Sequence, residues 1–146
     1  NQTPVEELKL IPYDSPEFAA ALDIRYRVFV TEQGVPEELE RDADDRRAVH
    51  ALVYRQGRPV GTARLVPRGG AGKIGRVAVL KEARGNRLGV ELMRALEGEA
   101  ARLRLAEVLL DAQVQVIPFY ERLGYRAEGD PFLDAGIPHR RMRRRL

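Results

Sequence analysis

The chain has 146 residues, of which 44% are hydrophobic, and this is enough for one folded domain spanning residues 1–146. It contains no cysteine, which excludes a disulfide framework, cysteine-ligated zinc and covalent catalysis through a thiolate. No apolar run approaches the roughly 20 residues that span a bilayer, and no signal peptide is recognisable, so we expect a cytoplasmic protein without membrane contact.

The net charge of +3 comes from the C-terminal end of the chain. Of the 25 basic residues, five are arginines at positions 140, 141, 143, 144 and 145, which leaves 20 against 22 acidic residues elsewhere. A basic C-terminal segment could bind nucleic acid or an acidic partner, but residues 140–146 contain no aromatic side chain for base stacking. Because Met142 and Leu146 alternate with the arginines, the pattern favours an edge strand over a nucleic-acid-binding tail.

The first third of the chain predicts a strand, a helix and a loop. Alternating apolar residues predict the strand over residues 7–12. Ser15 followed by Pro16 is typical of a helix start, and an apolar stripe carries this helix to about Val30. Residues 37–47 contain six acidic side chains and three arginines, so we expect a solvated loop there.

The rest of the chain alternates strands with helices. Three strands joined by turn sequences are predicted at residues 50–55, 60–66 and 73–80. They are followed by a long amphipathic helix over 88–103, a strand over 107–113, a short helix over 117–123 and one or two strands around a turn at 136–138. This order predicts an α+β domain with a mixed, mostly antiparallel central sheet flanked by helices.

The segment Arg84-Gly-Asn-Arg-Leu-Gly89 lies between a predicted strand and the start of the long helix. A helix start presents unpaired backbone N–H groups and the positive end of the helix dipole, which suit a pyrophosphate. A plain strand-to-helix connection is the alternative that the residues alone leave open. Two other phosphate motifs are excluded, since Gly72-Lys73 is followed by Ile74 and residues 85–89 lack the dinucleotide-binding glycine spacing.

Several ordered motifs resemble the GNAT superfamily of acetyl-CoA-dependent N-acetyltransferases: Val77-Ala-Val79, the segment 84–89, Leu92-Met93, Ala112-Gln113 and Phe119-Tyr-Glu-Arg-Leu-Gly-Tyr125. Two more resemble its ElaA-like branch: Arg27-Val-Phe-Val-Thr-Glu-Gln33 and Ala135-Gly-Ile-Pro-His139. The similarity extends over about residues 24–142. It implies a GNAT-like domain whose fourth and fifth strands splay apart to admit acetyl-CoA.

The resemblance also implies a set of cofactor-binding residues. The family's pyrophosphate loop, Gln/Arg-x-x-Gly-x-Gly/Ala, corresponds to Arg84, Gly85, Asn86, Arg87, Leu88 and Gly89. Arg87 replaces the middle glycine; it keeps a backbone N–H and adds a guanidinium, which is favourable beside a pyrophosphate. The remaining implied contacts are the backbone of Val77, Ala78 and Val79, which would stabilise a developing oxyanion, Gln113 in place of the family's asparagine, and Phe119, for which a core position is the alternative.

Four residues are candidates for proton transfer. Tyr120 occupies the position where many family members have a tyrosine near the sulfur, which implies a general acid for the departing thiolate; a tyrosine packed on a helix is the alternative. Glu32, His50 and His139 are candidates for the base that deprotonates an acceptor ammonium. Water chains could replace all three, and no metal is required.

The acidic stretch at 37–47 supports a second hypothesis, that its carboxylates border the acceptor site and attract a cationic amine. Its spacing lacks the glycine and the terminal glutamate of an EF-hand loop, so no metal site is predicted there.

Together these features predict an N-acetyltransferase in which a primary amine attacks acetyl-CoA directly in a ternary complex. The acceptor is expected to be a small-molecule amine or an amine of a peptide or protein. A homodimer could form through an edge strand or the first helix. The alternative function is that of a non-catalytic acyl-CoA sensor or interaction domain, which keeps the fold but lacks a working base.

Overall fold

The computed structural model describes residues 7–146. Its seven strands are β1 (Glu7–Ile11), β2 (Val49–Arg55), β3 (Arg58–Arg68), β4 (Ala71–Val79), β5 (Glu107–Gln113), β6 (Arg126–Asp134) and β7 (Ile137–Arg145). Its α-helices are α1 (Phe18–Arg25), α2 (Glu37–Glu40), α3 (Leu88–Arg102) and α4 (Ile117–Arg122). Within this part of the chain, no helix has both the length and the apolar composition needed to cross a bilayer.

The strands form one mixed sheet in the order β1-β2-β3-β4-β5-β7-β6. Every neighbouring pair is antiparallel except β4 with β5, which are parallel because α3 connects them. The predicted α+β class with a mostly antiparallel sheet is therefore confirmed. The β5 strand coincides with the predicted residues 107–113.

The β4 and β5 strands pair only over their first residues. Ala71–Lys73 pairs with Glu107–Leu109, and the ladder ends there although both strands continue. The two strands then diverge, and this is the splayed pair that the sequence resemblance implied. The gap between them is the feature that positions the functional site.

The α3 helix covers one face of the sheet, and α1 with the helical turns that follow it covers the opposite face. The successive residues Arg64 and Leu65 of β3 show this: Leu65 lies on the α3 face beside Leu105, whereas Arg64 reaches the segment that follows α1. On α3, a buried stripe of residues at helical spacing packs on the strands: Leu88, Leu92, Met93, Leu96 and Ala100. This apolar layer holds the start of α3 at the edge of the gap.

The helix predicted to end near Val30 changes its geometry part-way. It is α-helical over Phe18–Arg25 and continues as a π-helix over Tyr26–Glu32. The predicted helix start at Ser15 and Pro16 is too early, because the helix begins at Phe18 with Glu17 as its N-cap and without a side-chain cap. The Ser15 hydroxyl instead accepts a hydrogen bond from the Glu17 backbone N–H at 3.1 Å in the turn that precedes the helix. Wider π-helical turns are frequent at functional sites, and this one ends beside the gap.

Two predictions about the end of the chain are wrong. The arginine-rich β7 is an interior strand between β5 and β6, so β6 forms that edge of the sheet. Two of its arginines form ion pairs with the neighbouring β5 strand, Arg141 with Asp111 and Arg143 with Glu107. The turn lies at Ala135 and Gly136, whose φ values are 52° and 77°, and not at 136–138. A two-residue turn with positive φ at both positions fits the right-handed twist of the two strands that it joins. The β7 strand therefore begins directly after it, at Ile137.

Candidate active site

The gap between β4 and β5 opens into a cleft of about 570 Å³, a size typical of small-molecule sites. Its walls come from β4, β5, α4 and the turn between β6 and β7. Seven of the residues predicted from the sequence line it: Val77, Val79, Arg84, Gln113, Phe119, Tyr120 and His139. The structure thus brings together residues that are more than 60 positions apart in the chain.

The β4 strand has a bulge where it forms the cleft wall. Thr62 pairs with Ala78 and Arg64 pairs with Gly75, so two residues of β4, Arg76 and Val77, lie opposite one residue of β3. Bulges of this kind redirect backbone groups and are frequent next to active sites. Ala78 is 2% exposed and packs into the core, so its side chain does not face the cleft.

The loop at 84–89 leads from β4 into α3. It contains residues with a left-handed backbone, and it leaves backbone N–H groups without an acceptor. Gly85 has a φ of 85° and Arg87 a φ of 60°, in the left-handed region that favours glycine. At the start of α3, the Glu91 N–H donates a hydrogen bond to the Arg87 carbonyl at 3.1 Å. Within residues 7–146, no earlier backbone N–H of this helix donates a hydrogen bond. The preceding N–H groups at 87–90 are therefore available to an anion.

Gly89 is needed for its small size. A Cβ atom there would lie 3.3 Å from the Cζ atom of Phe119, so a larger side chain would push the α3 start away from α4. Phe119 in turn contacts the ring of Tyr120 edge-on, with a centroid separation of 5.0 Å. The loop, α3 and α4 therefore meet at one corner of the cleft.

Arg84 is fixed at the rim by three hydrogen bonds. Its Nε donates to the Val79 carbonyl at 2.9 Å, and its two terminal nitrogens donate to the Glu32 carboxylate at 2.6 and 2.7 Å. The hydrogen bond from Arg84 lowers the pKa of Glu32. Glu32 thus contacts the loop at 84–89, and both of its carboxylate oxygens accept hydrogen bonds from Arg84.

Tyr120 reaches the cleft from α4 with an unengaged hydroxyl. The residue is 8% exposed, and within residues 7–146 its hydroxyl makes no hydrogen bond. Burial raises the pKa of Tyr120 to about 12, so the phenol stays protonated at neutral pH. The neighbouring Tyr125 differs, because its hydroxyl donates to the Glu97 carboxylate at 2.8 Å inside the core.

His139 begins the β7 wall directly opposite Gln113 of β5. Its Nδ1 lies 2.6 Å from the Ile137 carbonyl, a contact that requires a proton on Nδ1. In the neutral ring the Nε2 atom is then the proton acceptor, and it has no partner in the described part of the chain. The ring also stacks on Phe132, which limits its rotation.

His50 lies elsewhere. It is 1% exposed in the core, where its ring packs on Phe18 at 4.6 Å and its Nε2 lies 2.9 Å from the Asp45 carbonyl. Burial lowers the pKa of His50, which keeps the ring neutral. His50 does not line the cleft.

The acidic stretch at 37–47 is not the solvated loop that its composition predicts. It contains α2 and a 3₁₀ turn over Ala43–Arg47, and two of its carboxylates, Glu40 and Asp45, are only 5% and 3% exposed. Arg25 of α1 binds both, with Nε to Glu40 at 2.5 Å and Nη1 to Asp45 at 2.8 Å. The fold buries these charges because each has an opposite charge within hydrogen-bonding distance.

Two further arginines from the sheet, Arg64 of β3 and Arg76 of β4, complete this ion cluster. Arg64 of β3 binds Asp42 at 2.7 and 3.0 Å and Asp45 at 2.8 Å. The hydrogen bonds from Arg64 help to lower the pKa of Asp42 to about 2. Three guanidiniums and three carboxylates therefore join α1, α2, β3 and β4 beside the cleft. The carboxylates that were expected to attract an amine are largely engaged by the protein's own arginines.

Comparisons with known proteins agree with this geometry. The sequence model of the protein family "Acetyltransferase (GNAT) domain" matches residues 10–146 of this chain. The chain belongs to this GNAT family. It is 43% identical over 123 residues to a Bacillus subtilis protein named "Uncharacterized N-acetyltransferase YjcF", which covers 84% of this chain and 88% of that protein.

Solved structures show the same relationship. An acyl-CoA N-acyltransferase from Pseudomonas aeruginosa superposes with a TM-score of 0.86 at 34% identity, covering 94% of this chain and 98% of the other. ElaA of Escherichia coli superposes with a TM-score of 0.85 at 27% identity, over the same shares of the two chains. The resemblance to the GNAT superfamily and to ElaA is confirmed, and it indicates an acyltransferase that uses an acyl-CoA.

The residues present fit an acyl-CoA. The diverging strands leave a passage through the sheet, the loop at 84–89 offers free N–H donors at the end of a 15-residue helix, and Gly89 leaves no side chain in the way. These are the requirements of an elongated ligand with a diphosphate at one end.

Proposed function

We propose that this protein is an N-acetyltransferase, in which a primary amine attacks acetyl-CoA directly within a ternary complex. The observation that carries the proposal is the cleft itself. One continuous opening joins the rim beside the free N–H groups of the α3 start to the unengaged Tyr120 hydroxyl and to His139. When bound, acetyl-CoA supplies the activated acetyl group at the inner end of this opening.

The cofactor-binding roles follow from position. We assign the diphosphate to the N–H groups of the loop at 84–89, with the Arg87 guanidinium as an additional cation. We assign the pantetheine and the thioester to the backbone of Val77–Val79 and to Gln113, whose side chain reaches Gln33 at 3.1 Å across the cleft mouth. Backbone donors on a bulged strand stabilise negative charge on a carbonyl oxygen without having to reorganise.

Tyr120 is assigned as the general acid. Its phenol is protonated at all physiological pH values, since burial raises its pKa to about 12. A free thiol has a pKa of roughly 8.5, below that of the buried phenol, so complete proton transfer to the sulfur is uphill. The Tyr120 hydroxyl therefore assists by donating a hydrogen bond to the sulfur while negative charge develops there as the C–S bond breaks. The low exposure of Tyr120 keeps bulk water from competing for this role.

His139 is assigned as the base. The Ile137 carbonyl selects the tautomer in which Nε2 is the acceptor, so the ring can take a proton from an ammonium in the cleft. Glu32 is not proposed for this role because its carboxylate is bound to Arg84, and His50 is not proposed because it lies in the core.

The test is a steady-state assay of CoA release from acetyl-CoA with a panel of primary amines, using three variants. Tyr120→Phe is expected to lower kcat about 10²-fold or more, and His139→Gln to lower it by a similar factor. Tyr26→Phe is the matched control, because Tyr26 is 45% exposed and outside the cleft. Binding of acetyl-CoA without transfer to any amine would instead support the non-catalytic acyl-CoA sensor.

A further inference from the structure

A second cleft, of about 300 Å³, adjoins the first on the face of the sheet opposite α3. It shares five lining residues with the first: Leu39, Lys73, Gly75, Arg76 and Asp134. Because the start of α3 lies on the other face, this side of the passage is the one left for an acceptor. The residues shared by the two clefts are therefore the ones that an acceptor amine would pass.

Arg76 is the most unusual of these residues. It has a φ of 53° inside a β-strand, at the bulge, which is a strained conformation for any residue but glycine. Its Nε donates to the Glu40 carbonyl at 3.0 Å, and its Nη2 donates to the Asp42 carboxylate at 3.1 Å and to the Leu39 carbonyl at 3.5 Å. Among residues 7–146, its Nη1 has no partner and remains available to a ligand.

The carboxylates near Arg76 are already bound by other arginines. Glu40 is held by Arg25 at 2.5 Å but lies 3.5 Å from Arg76, and Asp42 is held by Arg64 through two bonds of 2.7 and 3.0 Å. Burial lowers the pKa of Arg76, and the charges of Arg64 and Arg25 lower it further. Arg76 is thus the least compensated cation of the ion cluster.

Gly75 makes room beside Arg76. A Cβ atom at this position would meet no atom within 4 Å, so the space over the strand is open. Lys73 borders the same space, with its Nζ 3.0 Å from Asp111. On the far side, the exposed carboxylate of Asp134 lines both clefts and has no partner within the described residues. Arg76 and Lys73, paired with Asp42 and Asp111, therefore border one side of this space, and Asp134 and His139 lie near the hairpin turn.

We propose that the acceptor is an amino acid or a similarly compact amine that carries a carboxylate. Its carboxylate binds Nη1 of Arg76 and Nζ of Lys73 over Gly75, and its amine end faces Asp134 and His139. This inference rests on the proposed N-acetyltransferase function and narrows its acceptor. A guanidinium suits a carboxylate because its planar N–H groups match the two oxygens.

The test compares matched acceptors in the same assay, each amino acid with its own carboxamide. A charge-assisted hydrogen bond contributes roughly 1.5–3 kcal/mol, so the wild-type protein is expected to prefer the acid about 10- to 100-fold in kcat/KM. Arg76→Met is expected to remove this preference by raising KM for the acid, with kcat nearly unchanged. Arg104→Met is the matched control, because Arg104 also has a left-handed backbone, with a φ of 61°, but is exposed outside both clefts.

Gly75→Val is a second variant, which tests the same space in case Arg76→Met fails to fold. It should fill the space over β4 and raise KM for acid and amide alike. Equal kcat/KM for acids and amides in the wild-type protein would overturn the amino-acid proposal and leave the N-acetyltransferase function standing. Absence of transfer to any amine would overturn both.

Discussion

The carboxylate of Glu32 and the guanidinium of Arg84 form a two-pronged ion pair, with N–O distances of 2.6 and 2.7 Å. The pair joins the last residue of the π-helix to the first residue of the loop at 84–89, although 52 positions separate them in the chain. Because Arg84 also donates to the Val79 carbonyl, the π-helix, the loop and the end of β4 are fixed relative to one another. We therefore propose a positioning role for Glu32.

Glu32→Gln should leave kcat within about threefold and raise KM for acetyl-CoA, since a neutral amide holds Arg84 less firmly than a carboxylate does. Steady-state kinetics over a range of pH measure both quantities. Glu38→Gln is the matched control, being exposed and outside the cleft. Loss of most of kcat together with the acidic limb of the pH profile would show instead that Glu32 is the base.

Arg87→Gly should stabilise the protein and weaken cofactor binding at the same time. Glycine relieves the left-handed backbone, a gain of about 0.5–1 kcal/mol after its own entropy cost, and Tm should rise by about 1–4 °C. Loss of the guanidinium should raise the Kd for CoA. Calorimetry of both properties provides the test, with Arg104→Gly as the control that shares only the stabilisation. A lower Tm for Arg87→Gly would contradict this explanation.

Asp45→Asn should destabilise the fold strongly. It leaves Arg25 and Arg64 buried with one carboxylate fewer, and breaking a buried ion pair costs about 3–5 kcal/mol. Urea unfolding followed by circular dichroism measures the change. Asp23→Asn removes an exposed pairing with Arg27 and should cost less than about 0.5 kcal/mol. Similar losses for the two variants would show that the buried cluster adds nothing to stability.

Stability should fall steadily on acidification. Burial lowers the pKa of His50, so the unfolded chain takes up a proton there first, and the loss begins below the ordinary histidine pKa of about 6.5. Asp42 and Asp45 also have lowered pKa values, so their stabilisation is complete above about pH 4 and disappears toward pH 2. Urea unfolding at pH 8, 5 and 3 should give successively smaller free energies. A free energy that is constant from pH 7 to pH 5 would exclude the His50 contribution.

Local patterns in the sequence predict most of the fold. The spacing of apolar residues in α3 and β5, and the turn residues between β2 and β3, specify elements whose hydrogen bonds or packing are nearly local. The position of the loop at 84–89 before the start of α3 was also predictable, because it depends on consecutive residues. Its role as an anion site stays a prediction. The cleft-lining positions of Tyr120 and His139 followed from the family resemblance.

The ion cluster could not be predicted in the same way. Composition alone makes residues 37–47 look solvated, and only the fold brings Arg25 and Arg64 onto them. One signal was present, because Arg64 and Arg68 are on the same face of β3, around a mostly apolar stretch. The sequence analysis found no signal for the π-helical extension or for the left-handed Arg76.

A thermal shift with acetyl-CoA, CoA and NAD at equal concentrations tests most directly whether an acyl-CoA binds between the divergent strands. A ligand at 100 times its Kd adds about 2.7 kcal/mol, which is several degrees for a domain of this size. Both CoA compounds should raise Tm and NAD should not. Gly89→Glu should abolish the shift, because its side chain would meet Phe119 and bring a negative charge to the anion site.

Gly98→Glu is the matched control, since it lies exposed on the same helix with open space around it and should keep the full shift. Shifts with acetyl-CoA and CoA that disappear only in Gly89→Glu are the predicted result. An equal shift with NAD, or a shift that survives in Gly89→Glu, would contradict an acyl-CoA site between the divergent strands.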